Sequence, residues 1–249
     1  MLSLGSSRMN LTNFNASITR SAALCKELGL NPTVIAPTSL KVNDKFNQVA
    51  LSSAATHESI YFAGLDNSHY NFILSDYSYF QFSYVQIFNN EDLEDKFEIR
   101  LAFYPNPINS ADEVLPESTT NQLLAFNEMF LDDDWTFEEY SQALCELQVN
   151  VTVPIIRYDM SEEQFKRINH PKAHMHIGVN NTSRIATQKI FTPELFTAFI
   201  LSNFYRDQWE AISGDTFELE KNYQRVKSSC SSLSSTHFCS LQNSIINIV

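Results

Sequence analysis

Phe97, Ile99, Leu101 and Phe103 occupy every second position of one seven-residue stretch, with Glu98 and Arg100 between them. A period of two sends alternate side chains to opposite faces, so the stretch predicts a half-buried strand with one apolar and one wet side. Tyr70 to Leu74 and Tyr79 to Phe88 precede it, separated by the turn signal Ser75-Asp76. Asn89-Asn90-Glu91-Asp92 then breaks the second run from the third. Ile60 to Leu65 is a further short apolar run and reads as another strand. Consecutive short strands with polar breaks specify an antiparallel meander. The aromatic density (Tyr77, Tyr79, Phe80, Phe82, Tyr84) is what β-packing uses, and it does not require a base-stacking surface.

Helical signals lie on both sides of these strands. Leu11, Phe14, Ile18, Ala22 and Cys25 recur at helical spacing, and Gly29 is a fitting stop, which predicts a helix from Asn10 to Leu28. Residues 30–57 are polar and read as a long connection with at most a short strand. Helices are predicted over Thr119–Phe130 and Thr136–Leu147, the second opened by a Thr136/Glu139 capping box. Thr192-Pro193-Glu194 places a cap, a proline and an acid at the start of another helix, and one more runs from about Asp215 to Lys227.

Two more strands lie between the helices. Val149 to Tyr158 puts Val149, Val151, Val153 and Ile155 on one face, and Arg157 and Asp159 continue it. Pro154 leaves their facing open, since a one-residue bulge would turn both charges over. In Ala173–Val179 the odd positions are apolar, and His174 and His176 project together from the opposite face. The fold class is therefore α+β: a single domain over residues 1–227, with a mixed or mainly antiparallel sheet of about six strands flanked by N- and C-terminal helices, then a Ser-rich tail over 228–249.

Composition removes several function classes. Five glycines (Gly5, Gly29, Gly64, Gly178, Gly214) cannot form GxGxxG, GxxxxGK[ST] or GxSxG, so glycine-loop nucleotide sites and the nucleophile elbow are excluded. The four cysteines are scattered without a CxxC, which argues against a thiolate zinc site or a disulfide framework. No run of about 20 apolar residues marks a membrane span, and the N-terminus has no long apolar core of a secretory signal, so a cytoplasmic protein is expected. The net charge of −12 is uneven. Residues 1–156 hold 7 Lys+Arg against 20 Asp+Glu, whereas residues 157–249 hold 10 against 9. An extended nucleic-acid surface is not expected on so acidic a chain, but a small anion near the C-terminal third is compatible with it.

Side chains capable of chemistry concentrate in one place. His170, His174 and His176 are half of the six histidines, and Arg157-Tyr158-Asp159 lies just before them. Two histidines at i and i+2 on a strand can converge on one ion, and Asp159 can add an oxygen. A divalent metal held by candidates His170, His174, His176 and Asp159 is one reading. A metal-free site is another, with Arg157 and Arg184 binding phosphate while His174 or His176 acts as general acid or base with Arg157 and Asp159 beside it. A third is structural, with paired histidines and an Arg157–Asp159 ion pair. Familiar HxH enzymes fit poorly: a histidine triad needs a third histidine where Gly178 stands, and a cupin wants a glutamate near Asn180.

The order Arg157-Tyr158-Asp159, His170-Pro171-Lys172-Ala173-His174-Met175-His176-Ile177, Arg184, Thr192-Pro193-Glu194-Leu195-Phe196 and Phe204-Tyr205 resembles the bacterial "domain of unknown function 2290" family over about residues 155–206. The resemblance implies a stand-alone bacterial cytoplasmic protein without a settled activity. The same arrangement is similar to that of TumE-type toxins, which implies a toxin–antitoxin or phage-defence setting and a protein partner encoded alongside. The functional expectation is a hydrolase acting on a phosphodiester or nucleotide, as a toxin or phage-defence effector. The alternative is a non-enzymatic interaction protein, an antitoxin-like or defence-complex subunit with an acidic docking surface.

Overall fold

Among the described residues eight strands form one sheet, and their order in space is their order in the chain. They are β1 (Thr33–Val34), β2 (Phe72–Ile73), β3 (Tyr79–Ile87), β4 (Lys96–Tyr104), β5 (Ile156–Met160), β6 (Ala173–Ile177), β7 (Ile185–Thr187) and β8 (Asn247–Ile248). The structure is a computed structural model that describes residues 9–87, 96–107, 117–132, 134–146, 153–167, 169–179, 184–212, 216–239 and 247–248. Every pairing from β1 to β7 is antiparallel, and β8 joins β7 in parallel. The α+β class and mainly antiparallel sheet agree with the sequence pattern. The sheet has eight strands where about six were expected because β1, β7 and β8 are only two or three residues long, too short to carry a period.

The described helices are α1 (Leu11–Glu27), α2 (Asp44–Ala50), α3 (His57–Asp66), α4 (Glu117–Leu131), α5 (Phe137–Glu146), α6 (Pro193–Phe204), α7 (Arg206–Ile212) and α8 (Thr216–Ser229). Asn10 caps α1 by accepting from the Asn13 amide at 2.9 Å, and Thr192 caps α6 by accepting from the Leu195 amide at 3.1 Å. The two helices are tied together where the Glu194 amide donates to Ser17 Oγ at 2.9 Å. Beneath them lies a dry cluster that includes Phe14, Ile18, Phe80, Phe82, Leu101 and Phe196. On the opposite sheet face, α2 to α5 bring Phe46, Tyr61, Phe62 and Tyr140 onto Tyr79 and Tyr104. The approach of α3 to β3 is close enough that a Cβ at Gly64 would strike the Tyr79 hydroxyl.

Several expectations change. Ile60–Leu65 is not a strand but lies inside α3. The Thr56 side chain accepts from the Ser59 amide at 3.2 Å, and Ser59 Oγ accepts from the Thr56 amide at 2.9 Å. That capping box starts a helix, and six apolar residues in a row carry no period to reveal it. The stretch read as a connection contains α2, capped by Asn43. The strand expected from Val149 begins at Ile156, while Val149 and Val151 lie outside the described residues. Residues 228–249, read from sequence as a tail, contribute Cys230, Leu233 and Phe238 to the core and β8 to the sheet.

Candidate functional site

Directly opposite residues on neighbouring strands share a face. Ser83, Arg100, Asp159 and His174 therefore form one row across β3 to β6, and Gln81, Ala102, Arg157 and His176 form the next. Pro154 sits ahead of β5 and introduces no bulge within Ile156–Met160, so Arg157 and Asp159 keep the facing of Ile155. Ile156, Tyr158 and Met160 point into the dry core on the other side. The two arginines, the aspartate and the two histidines thus meet on one face because period-2 strands of matched register place them there.

The histidines are inside the protein. His174 is 1% exposed and His176 6%, while Asp159 keeps 28% of its side chain accessible. His174 Nδ1 lies 2.9 Å from the Pro171 carbonyl oxygen. A carbonyl only accepts, so Nδ1 carries the proton and the neutral ring presents a bare Nε2. That Nε2 lies 3.0 Å from Nε2 of His176, which in turn lies 3.4 Å from Asp159 Oδ2. With Nε2 of His174 bare, the proton between the rings comes from His176. Burial, and then the neighbouring His176 ring, hold His174 below the ordinary histidine range. The neutral form is the one that can ligate a metal.

One ligand atom from each of Asp159, His174 and His176 lies within 4.8 Å of the others. At metal–nitrogen distances of about 2.0–2.1 Å, nitrogens 3.0 Å apart subtend roughly 90–100° at the ion. A two-His-one-carboxylate set at such angles leaves further positions open for water or substrate. The contact from Pro171 to the remote nitrogen of His174 is the outer-shell bond that fixes a ligand's tautomer and direction. Pro171 is followed by Lys172, which ion-pairs with Glu162, and Glu162 also lies 3.1 Å from His237 Nε2. The β5–β6 connection that holds the histidines is anchored there.

His170 falls outside this trio. Its ring stands against His174 with centroids 4.8 Å apart, and burial followed by the charge of Arg184 keeps it below the usual histidine range. Arg184 is exposed ahead of β7 and does not line the cavity that Arg157 and Asp159 share. That cavity, of about 280 Å³, has the polar face of β3 to β5 as its floor. α2 and the segment around Lys41 and Val42 roof it. Arg100 and Lys41 bring further cations, and His69 and Gln81 also line it. The reading of the sequence missed these four. Arg100 had a signal, since it occupies a wet position of the clean alternation, whereas Lys41 and His69 come from connections without periodicity.

A family model described as "Uncharacterized conserved protein (DUF2290)" matches residues 31–246. The chain belongs to the DUF2290 family. The match runs from β1 nearly to β8, so β1 to β7, the histidine trio and the arginine-lined cavity all lie within the family region. No curated protein and no solved structure matches this DUF2290 chain. None of its described helices is long and apolar enough to cross a membrane.

Proposed function

We propose that this protein is a metal-dependent hydrolase of a phosphodiester or nucleotide, with Asp159, His174 and His176 holding one divalent ion. The observation that carries the reading is the shared position of Asp159. Its carboxylate belongs to the trio and also to the wall of a cavity that Arg100, Arg157 and Lys41 make electropositive. A metal there would supply a hydroxide at neutral pH and polarise a phosphoryl oxygen, while the arginines would neutralise the other phosphate oxygens.

Elemental analysis of the purified protein and calorimetric titration with Mn²⁺ or Zn²⁺ test the reading. The expected result is about one equivalent, lost in His174→Ala and retained in His237→Ala, together with metal-dependent hydrolysis of bis(p-nitrophenyl) phosphate. Equal metal binding in both variants, or a loaded protein inert toward phosphoesters, would overturn it.

Charge favours a second reading, an interaction protein with an acidic docking surface. Residues 101–156 contain ten Asp+Glu and no Lys, Arg or His. Leu124, Met129 and Leu131 of α4 are exposed in the same stretch. A basic partner protein is the occupant such a surface would recruit.

A further inference from the structure

The cavity over the polar face does not end at Arg157. A second cavity of about 190 Å³ adjoins it, and the two share Ala50, Leu51, Tyr104 and Arg157. The linings differ in chemistry. The first has Lys41, Arg100, Arg157 and Asp159; the second is walled by Ala50, Leu51, Ile60, Ile155 and Val179, with Arg157 as its one charged group. Gly178, at φ +85°, turns the chain at the far end of the second cavity. Ala102 explains the space between them. It is the smallest side chain in its row, standing between Gln81 and Arg157 where a larger residue would fill the floor.

We infer that these joined cavities bind a small organic phosphate of mononucleotide size, with the phosphate at Arg100 and Arg157 and the less polar part of the ligand in the smaller cavity under Leu51. The assignment rests on the phosphoester reading above and narrows its substrate from a phosphodiester or nucleotide to a phosphate ester of mononucleotide size. Three observations carry it. The combined space falls in the range of roughly 300–1,000 Å³ typical of small-ligand pockets. Charge is graded from one end to the other, with Lys41, Arg100, Arg157 and Asp159 around the first cavity and Arg157 alone in the second, which suits an ester with a charged head and an uncharged body. α2 covers the floor, so the site is a pocket and not an open track along which a polymer would lie. The charge of −12 also opposes the phosphate-by-phosphate attraction that a polynucleotide uses.

The test uses the whole protein, metal-loaded and chelator-treated, titrated with AMP, inorganic phosphate and a 12-nucleotide single strand. AMP should bind at least about tenfold tighter than inorganic phosphate, and the oligonucleotide no tighter than AMP. Leu51 is 78% exposed, so Leu51→Trp is compatible with folding while its indole caps the smaller cavity. That variant should lose the AMP advantage yet keep its metal stoichiometry and phosphate affinity, and Leu11→Trp, at an exposed position of α1 that lines neither cavity, should keep all three. An AMP affinity equal to that of phosphate, a preference for the oligonucleotide, or a Leu51→Trp protein that binds AMP as before would overturn the inference. Leu51-dependent AMP binding in protein that never takes up metal would sink the metallohydrolase reading and leave the pocket assignment standing.

Discussion

The two faces of the sheet are built by the same strands and follow opposite rules. On one, Phe80, Phe82, Leu101, Phe103, Tyr158 and Met175 are buried under α1 and α6, and the described residues there form a continuous apolar cluster. On the other, an aromatic half around Tyr79 and Tyr104 gives way to Gln81 two residues along β3 and to Arg100 four residues along β4, and β5 and β6 add Arg157, Asp159 and two histidines. Apolar burial stabilises in proportion to area, whereas buried polar groups cost free energy unless they are partnered. The dry face therefore supplies stability. The polar face depends on that supply to hold ionisable groups close together, which is the usual position of a functional site.

Substitutions can break that contrast. Phe196→Ala, beneath α6 and fully buried, should destabilise by about 3–5 kcal/mol in chemical denaturation, the largest effect anywhere in the molecule. Asp159→Asn should do the reverse. The chelated protein should unfold within about 0.5 kcal/mol of wild type, because the carboxylate is partly exposed. Calorimetry should meanwhile show at least an approximately 100-fold loss of metal affinity, no less than changes to outer-shell partners produce. If Asp159→Asn unfolds like Phe196→Ala, the faces do not divide their roles.

Smaller effects sharpen the comparison within the polar face. Gly64→Ala drives a methyl into the Tyr79 hydroxyl and should cost about 1–3 kcal/mol, leaving metal binding unchanged. The smallest effect concerns pH. Burial lowers the pKa of His57, whose Nε2 donates to the Pro105 carbonyl at 2.8 Å. The unfolded chain then binds more protons than the folded one, so this histidine's contribution is full above the unfolded pKa near 6.5 and is lost as pH falls below it. His57→Gln should flatten part of the stability loss on acidification below pH 6.5. An unchanged slope would place the acid sensitivity elsewhere.

Where a local rule was strong, the fold was legible in the chain. Phe97 to Phe103 became β4, Asn10 and Thr192 cap the helices predicted to follow them, and Thr136 and Glu139 form the capping box that their spacing announces. Ile60–Leu65 failed because a short apolar run fits either a strand or one helical face, and the decisive hydrogen bonds sit in Thr56 and Ser59 outside it. At the candidate site, the spacing of His174 and His176 was readable, and so was the proximity of Asp159. That Arg100 belongs with them follows only from the register of β4 on β5, a long-range pairing that no spacing in the sequence contains. Arg184 shows the converse: it is near in sequence but sits outside the cavity.

The pairing of β4 with β5 has one more consequence. Phe103 lies opposite Ile156, so the two ends of the 51-residue segment between the strands meet at nearly the same point of the sheet. Topologically they are the loop of a single hairpin. Closing a loop of that length in place of a tight turn costs on the order of 2 kcal/mol more in chain entropy, since each doubling adds about 0.6 kcal/mol. Phe130 and Tyr140 of this excursion pack on Phe62 of α3, each at a centroid distance of 4.7 Å, and these contacts offset that cost. A short turn in place of α4 and α5 would shed the most acidic part of the sequence and would also uncover Phe62, so the excursion joins the acidic surface to one half of the core.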